Sequence, residues 1–154
     1  MQISIYKSEV RGTARAPSSK SYTIRALMCA ALADGTSEIQ QPLRSDDTDA
    51  AQSVLRNIGV RISQNGDCWQ VKGGRFRVPQ EDLFCGNSAA TLRFMSAIGA
   101  LVPGQIRLTA GPSLAKRPVK TLVEALRKWE VDISCTGDFP PVVVKGGHIG
   151  GGLT

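Results

Sequence analysis

Imidazole is almost missing from this chain: the only histidine is His148, set in a glycine-rich tail. The four cysteines, Cys29, Cys68, Cys85 and Cys135, stand far apart, with no C-x-x-C pair. Structural zinc needs clustered His and Cys ligands and redox motifs need paired thiols, so both classes are excluded. A Ser-His-Asp triad has almost nothing to draw on. Isolated thiols of this kind are expected to be ordinary buried or half-buried small residues of a reducing, cytoplasmic environment. Aromatic residues make up only 5% of the chain and are not interleaved with basic ones. The stacking platforms of single-strand nucleic-acid binders are therefore lacking. No apolar run approaches the ~20 residues of a membrane-spanning helix. The first residues, Met1 to Lys7, alternate apolar and polar side chains and lack the apolar core of an export signal. These absences predict a cytoplasmic protein without a metal site, bound neither to nucleic acid nor to a membrane.

What the chain does have is a globular composition, 42% hydrophobic and 21% charged over 154 residues, the length of one ordinary domain or two small ones. It is basic, with 19 Lys and Arg against 13 Asp and Glu. A net positive charge attracts anions, whether nucleic acid or small phosphorylated and carboxylated molecules. Charge alone fits a merely soluble basic surface equally well, so position must decide.

The chain also repeats itself. Ile24-Arg25-Ala26-Leu27-Met28 is echoed by Leu92-Arg93-Phe94-Met95, an offset of 68. The stretch Leu55 to Ser63 is echoed by Leu126 to Ser134, an offset of 71, and Gly66-Asp67 by Gly137-Asp138. Val71-Lys72-Gly73-Gly74 returns as Val144-Lys145-Gly146-Gly147, an offset of 73. Four matches in one order, with slowly growing offsets, mark two units, about 14–84 and 85–154. In the first, apolar residues at Ile24, Leu27, Met28, Ala31 and Leu32 predict a helix over 21–33, ended by Asp34-Gly35. A strand over 37–40 follows, then a helix over 47–57 capped by Ser45-Asp46-Asp47, then strands over 60–63 and 69–72. The second unit reads as a helix over 88–100, a strand over 105–109, a helix from Pro118 to Trp129, and strands over 131–135 and 142–145. A lone strand, Ile3 to Tyr6, stands in front. The expected fold class is α/β, a tandem of βαβαββ units forming a single compact body.

The unusual polar residues fall at helix starts. Lys20 and Ser21 open the first helix, with Arg25 one turn in; Ser45-Asp46-Asp47 open the second. Gly86-Asn87-Ser88 open the third, with Arg93 further along, and Lys116-Arg117 precede the fourth. Exposed N–H groups and the positive end of the dipole make such ends anion sites. Serine, asparagine and aspartate there also serve simply as caps, and Ser45, Asp46, Asn87 and Ser88 read that way on their own. Lysine and arginine oppose the dipole, at a cost of roughly a few tenths of a kcal/mol each, so Lys20, Arg25 and Arg117 point to ligand binding. Lys7, Arg11, Arg15, Arg75 and Arg77 are scattered and read as solvated surface, and His148 as an exposed loop residue. The Gly150-Gly151-Gly152 run lacks the helix and Lys-Thr pair of a phosphate loop.

At these residues the chain resembles the enolpyruvyl transferases, in particular the enolpyruvylshikimate-phosphate synthases of the shikimate pathway. The resemblance rests on Pro17-Ser18-Ser19-Lys20-Ser21-Tyr22-Thr23-Ile24-Arg25-Ala26-Leu27, on Ser45-Asp46-Asp47 and on Gly86-Asn87-Ser88-Ala89-Ala90-Thr91-Leu92-Arg93. Lys116-Arg117-Pro118 and Pro140-Pro141 with the following glycines complete it. It implies two of the six units of that fold, the remainder of the synthase chain as partner, and transfer of enolpyruvyl from phosphoenolpyruvate to shikimate 3-phosphate without metal or cofactor. It further implies that Lys20 and Asp47 serve catalysis, with Asp47 orienting groups around the tetrahedral intermediate. Lys20, Ser21 and Arg25 would hold shikimate 3-phosphate; Lys20, Asn87, Ala89, Arg93 and Arg117 would hold phosphoenolpyruvate. A sister enzyme acting on a nucleotide sugar carries Lys-Asn where this chain has Lys20-Ser21, and a cysteine where this chain has Pro112, which favours the shikimate branch. Ala89 and Ala90 stand where the family commonly has Gly and Thr, and Phe94 stands where it has Pro. An alanine methyl at 89 would crowd glyphosate more than the shorter phosphoenolpyruvate, so the resemblance implies comparative insensitivity to that inhibitor. Two other readings stay open: a non-catalytic anion-binding or interaction module on the same fold, and a small basic RNA-binding protein, which the missing aromatics disfavour.

Overall fold

The computed structural model describes residues 2–9 and 11–147. In chain order it forms α1 (Lys20–Leu32), β1 (Thr36–Gln40), α2 (Asp46–Asn57), β2 (Arg61–Asn65), β3 (Cys68–Lys72), β4 (Leu83–Phe84), α3 (Ala89–Ile98), β5 (Gln105–Thr109), α4 (Lys120–Arg127), β6 (Asp132–Thr136) and β7 (Phe139–Lys145). Two short 3-10 turns, Gly99–Leu101 and Leu114–Lys116, are interposed. The fold class is α/β. The first sheet runs β1-β3-β2, all antiparallel neighbours; the second runs β4-β5-β7-β6, with β4 parallel to β5.

The elements arise where the patterns place them. In α1, Ile24, Leu27, Met28 and Ala31 are buried, and in α2 Ala51, Val54 and Leu55, followed by Ile58 just past its end, both at the spacing of one helix face. In β3, β5 and β7 alternate residues are buried: Trp69 and Val71, Ile106 and Leu108, Val142 and Val144. The helices of the two units meet, α1 and α2 against α3, so one continuous hydrophobic cluster runs through both units. That cluster fixes how the helix starts stand beside one another.

The repeated glycine pair has a steric cause. A Cβ on Gly73 would lie 2.3 Å from the Ala30 carbonyl oxygen, and one on Gly146 would lie 2.3 Å from those of Gly99 and Val102. Each chain crosses the carboxyl end of its unit's first helix, and the next residue ties it down. The Gly74 N–H donates to Ala31 O at 3.3 Å, and the Gly147 N–H to Ala100 O at 2.9 Å. Only a residue without a side chain fits so close a passage.

The structure departs from the sequence reading at several points. Ile3 to Tyr6 form no strand; Ile3, Ile5 and Tyr6 are 70%, 91% and 82% exposed. Alternation offers a face, but a strand needs a neighbour to pair with, and among the described residues none lies beside it. The fourth helix begins at Lys120, not Pro118. Arg117, the residue before proline, is extended at φ −98° and ψ 126°, the conformation a following proline imposes. The Val119 N–H is taken by Asp138 O at 2.7 Å, which delays the helix further. The two-residue β4 is the strand that the βαβαββ order puts before α3, at residues where the sequence pattern marks none; among the described residues no strand precedes α1. Cys85 is buried and Cys68 and Cys135 half-buried, as expected, but Cys29 is exposed because it lies on the outer face of α1. Burial pushes the Cys85 thiol up to about 12, so it stays protonated and inert. The readings of His148 and of Gly150-Gly151-Gly152 lie outside the described residues.

Candidate functional site

The starts of α1 and α2 are locked together by side chains that sequence reading took only as caps or passed over. The Ser19 hydroxyl accepts the Tyr22 N–H at 3.3 Å and so starts α1. Thr23 Oγ1 donates to Ser19 O at 2.9 Å and accepts the Leu43 N–H at 3.0 Å, pinning the segment before α2 to the first turn of α1. Ser45 then caps α2 reciprocally: its hydroxyl accepts the Thr48 N–H at 3.4 Å, while its own N–H donates to Thr48 Oγ1 at 2.9 Å. The result brings Lys20 and Asp47 together, Nζ to Oδ2 at 2.6 Å.

This pair changes the balance struck from sequence. Lys20 opposes the α1 dipole, yet Asp47 in the first turn of α2 gives it a partner, so its position has a structural reason after all. With side chains half and a quarter exposed, the pair itself is worth about 0.2–1 kcal/mol. It also sets an ammonium donor directly against a carboxylate acceptor at the protein surface.

Arg25 curls back along α1, Nη1 donating to the Ser21 carbonyl at 3.1 Å, with its guanidinium over the Phe94 ring, 5.5 Å from the centroid. Arg93 repeats the gesture on α3: Nη1 donates to Ala89 O at 3.5 Å and Nη2 to Pro118 O at 3.4 Å, next to Arg117. Arg117 is itself exposed in the extended turn before α4. The structure thus links Asp47, Lys20 and Ser21, and then, through the α1–α3 contact, Arg25, Phe94, Arg93 and the Arg117 segment. Four cationic side chains from two helices and one loop present their donors on neighbouring elements. Such a face can grip two oxyanions, with arginine offering forked pairs of donors and lysine a compact charge.

Two expected site residues turn out to have structural duties. Asn87 Oδ1 accepts the N–H groups of Ser113 and Leu114, at 3.1 and 3.3 Å, and so fastens the loop that carries Arg117. Ala89 is half-buried and packs against the core at the start of α3. Ser88 caps α3, its hydroxyl 2.8 Å from that of Thr91 in a buried pair. Sequence reading missed Phe94 as a partner of Arg25; an aromatic beside a basic residue at a helix contact is weak as a signal, because most such rings are simply core. Among the described residues no cluster of three or more His, Cys, Asp or Glu can hold a metal ion. Nor is any described helix long and apolar enough to cross a membrane.

Comparison with known proteins gives a consistent picture. Residues 6–153 match the family described as EPSP synthase (3-phosphoshikimate 1-carboxyvinyltransferase). The 3-phosphoshikimate 1-carboxyvinyltransferase of Dehalococcoides mccartyi is 46% identical over 151 residues, covering 97% of this chain and 36% of that protein. The enzyme of the same name from Methanothermobacter thermautotrophicus is 40% identical over 156 residues, covering 98% of this chain and 37% of its own. Among solved structures, EPSP synthase from Acinetobacter baumannii superposes with a TM-score of 0.82 at 29% identity, over 88% of this chain and 32% of that one. The enolpyruvyl transferase NikO from Streptomyces tendae, with a TM-score of 0.53 at 17% identity over 80% of this chain and 30% of its own, shares the fold alone. The chain spans about a third of the length of the curated relatives it matches.

Proposed function

The chain belongs to the EPSP synthase (3-phosphoshikimate 1-carboxyvinyltransferase) family, and from that premise we propose that it supplies part of the site where enolpyruvyl passes from phosphoenolpyruvate to shikimate 3-phosphate. The observation that carries this reading is the 2.6 Å contact of Lys20 with Asp47 at the start of the helix that also carries Arg25. Both substrates are polyanions, and donors already fixed in place stabilise developing charge better than mobile ones.

In this reading the two units, about 14–84 and 85–154, divide the work. Ser21 and Arg25 hold shikimate 3-phosphate; Asn87, Ala89, Arg93 and Arg117 line the phosphoenolpyruvate side, and Lys20 serves both. The 5-hydroxyl oxygen bonds to the central carbon of phosphoenolpyruvate, its proton leaving to a base, while the methylene carbon gains a proton. The tetrahedral adduct then breaks its carbon–oxygen bond to phosphate and gives up a methyl proton, which restores the double bond. Protons and electron pairs balance without a cofactor. Lys20 meets the leaving phosphate, and Asp47 holds Lys20 and orients groups around the adduct. The setting is the cytoplasm, the partner is the remainder of a synthase chain, and neither nucleic acid nor a membrane takes part. The Ala89 methyl makes the assembled enzyme comparatively insensitive to glyphosate, since overpacking costs about 1–3 kcal/mol.

Enclosure of both substrates is needed for turnover, so the 154-residue chain alone binds weakly and does not release phosphate. Calorimetric titration with each substrate tests the reading. Arg25→Ala weakens shikimate 3-phosphate more than phosphoenolpyruvate, and both affinities fall as salt rises. Equal losses for the two ligands would refute the assignment.

A further inference from the structure

Lys20 and Arg25 stand on one helix but are held by opposite means. Lys20 meets a carboxylate, Asp47, which draws on its positive charge. Arg25 meets the face of Phe94, a neutral partner 5.5 Å from its central carbon. A ring face attracts a guanidinium through its quadrupole and uses none of its N–H groups, so charge and donors stay available. Phe94 is itself half-buried and packed against the core where α1 meets α3, so the ring is a fixed surface. On the other side the Ser21 carbonyl takes one hydrogen bond from Nη1 at 3.1 Å. Ring and carbonyl together confine an exposed side chain that otherwise samples many rotamers, and the ordering that binding requires is largely done beforehand.

We infer that Phe94 is a positioning residue that presets Arg25 for an oxyanion at the start of α1. With shikimate 3-phosphate as that oxyanion, the inference rests on the function proposed above; with inorganic phosphate it stands without it. The test uses the 154-residue chain and its Phe94→Leu and Phe94→Tyr variants, each alone and combined with Arg25→Ala. Nuclear magnetic resonance follows the Arg25 Nε proton and the binding of inorganic phosphate, shikimate 3-phosphate and phosphoenolpyruvate. In the parent the ring shifts the Nε proton upfield; Phe94→Tyr keeps the shift and the affinities. Phe94→Leu abolishes the shift and weakens inorganic phosphate and shikimate 3-phosphate about two- to fivefold, the range of an exposed cation–π contact. It leaves phosphoenolpyruvate unchanged. Combined with Arg25→Ala it causes no further loss, because its effect runs through Arg25. An equal loss from Phe94→Leu whether or not Arg25 is present would make Phe94 a general packing residue and overturn the inference, as would an Nε proton unmoved by removing the ring. If phosphate binding depends on the pair while shikimate 3-phosphate binding does not, the substrate assignment fails and the positioning role of Phe94 survives.

Discussion

In the first unit the sheet stops at β1, an edge strand; in the second the equivalent strand, β5, is flanked by β4 and lies inside its sheet. Elsewhere the units agree in detail. Arg25 and Arg93 both turn back to the carbonyl four residues before them, on Ser21 and Ala89. Gly73 and Gly146 both pass under the end of a helix with no room for a side chain. Serine caps the first helix of each unit. The features that recur are those that hold the first helix of each unit and its arginine in place; those that differ lie at the partners. Lys20 pairs with Asp47, whereas the corresponding stretch of the second unit has the proline turn that carries Arg117. One scaffold used twice thus carries different side chains at its helix starts, which is what the proposed division of two unlike substrates requires.

The equivalence of the glycines gives the largest effect. Gly73→Ala and Gly146→Ala each force a methyl against backbone carbonyls and destabilise the chain by about 3 kcal/mol, the upper end for overpacking. Urea denaturation measures both. A large loss at one site and none at the other would break the equivalence of the two units.

Smaller is the effect of the missing neighbour strand. In hydrogen exchange, the outward-facing amide of Gln40 in β1 loses about 1 kcal/mol of protection relative to the amide of Thr109, which faces β4 from β5, the net worth of one hydrogen bond. Equal protection would mean that the edge of β1 is covered, contrary to the sheet order described here.

The units' different charge partners give the smallest change. Asp47→Asn costs at most about 1 kcal/mol of stability, since the Lys20–Asp47 pair is partly exposed. A loss well above that would make the pair a folding element first and a functional one second.

Much of this comparison was legible in the sequence. Helix faces at Ile24, Leu27, Met28 and Ala31, and alternation at Val142 and Val144, are local patterns with one physical solution. The repeat told which elements correspond. The candidate residues Lys20, Arg25 and Arg117 stood out in the sequence as basic residues in places where the helix dipole disfavours them. Pairwise facts were not, because they depend on how elements pack: Asp47 reaching Lys20, the Phe94 ring under Arg25, and Asn87 bracing the Arg117 loop. Ile3 to Tyr6 misled for the same reason, since alternation shows which face of a strand is apolar and not whether a partner lies beside it. Pro118 misled because a proline at a first helical position and a proline that delays a helix look alike until Val119 is seen bonded to Asp138.

The division of labour between the units is tested most directly by mapping amide shifts of the chain during separate titrations with shikimate 3-phosphate and phosphoenolpyruvate. The account predicts that shikimate 3-phosphate moves Lys20, Ser21 and Arg25, and that phosphoenolpyruvate moves Lys20, Asn87, Ala89, Arg93 and Arg117. Identical footprints for the two ligands, or shifts confined to residues away from the four helix starts, would contradict it.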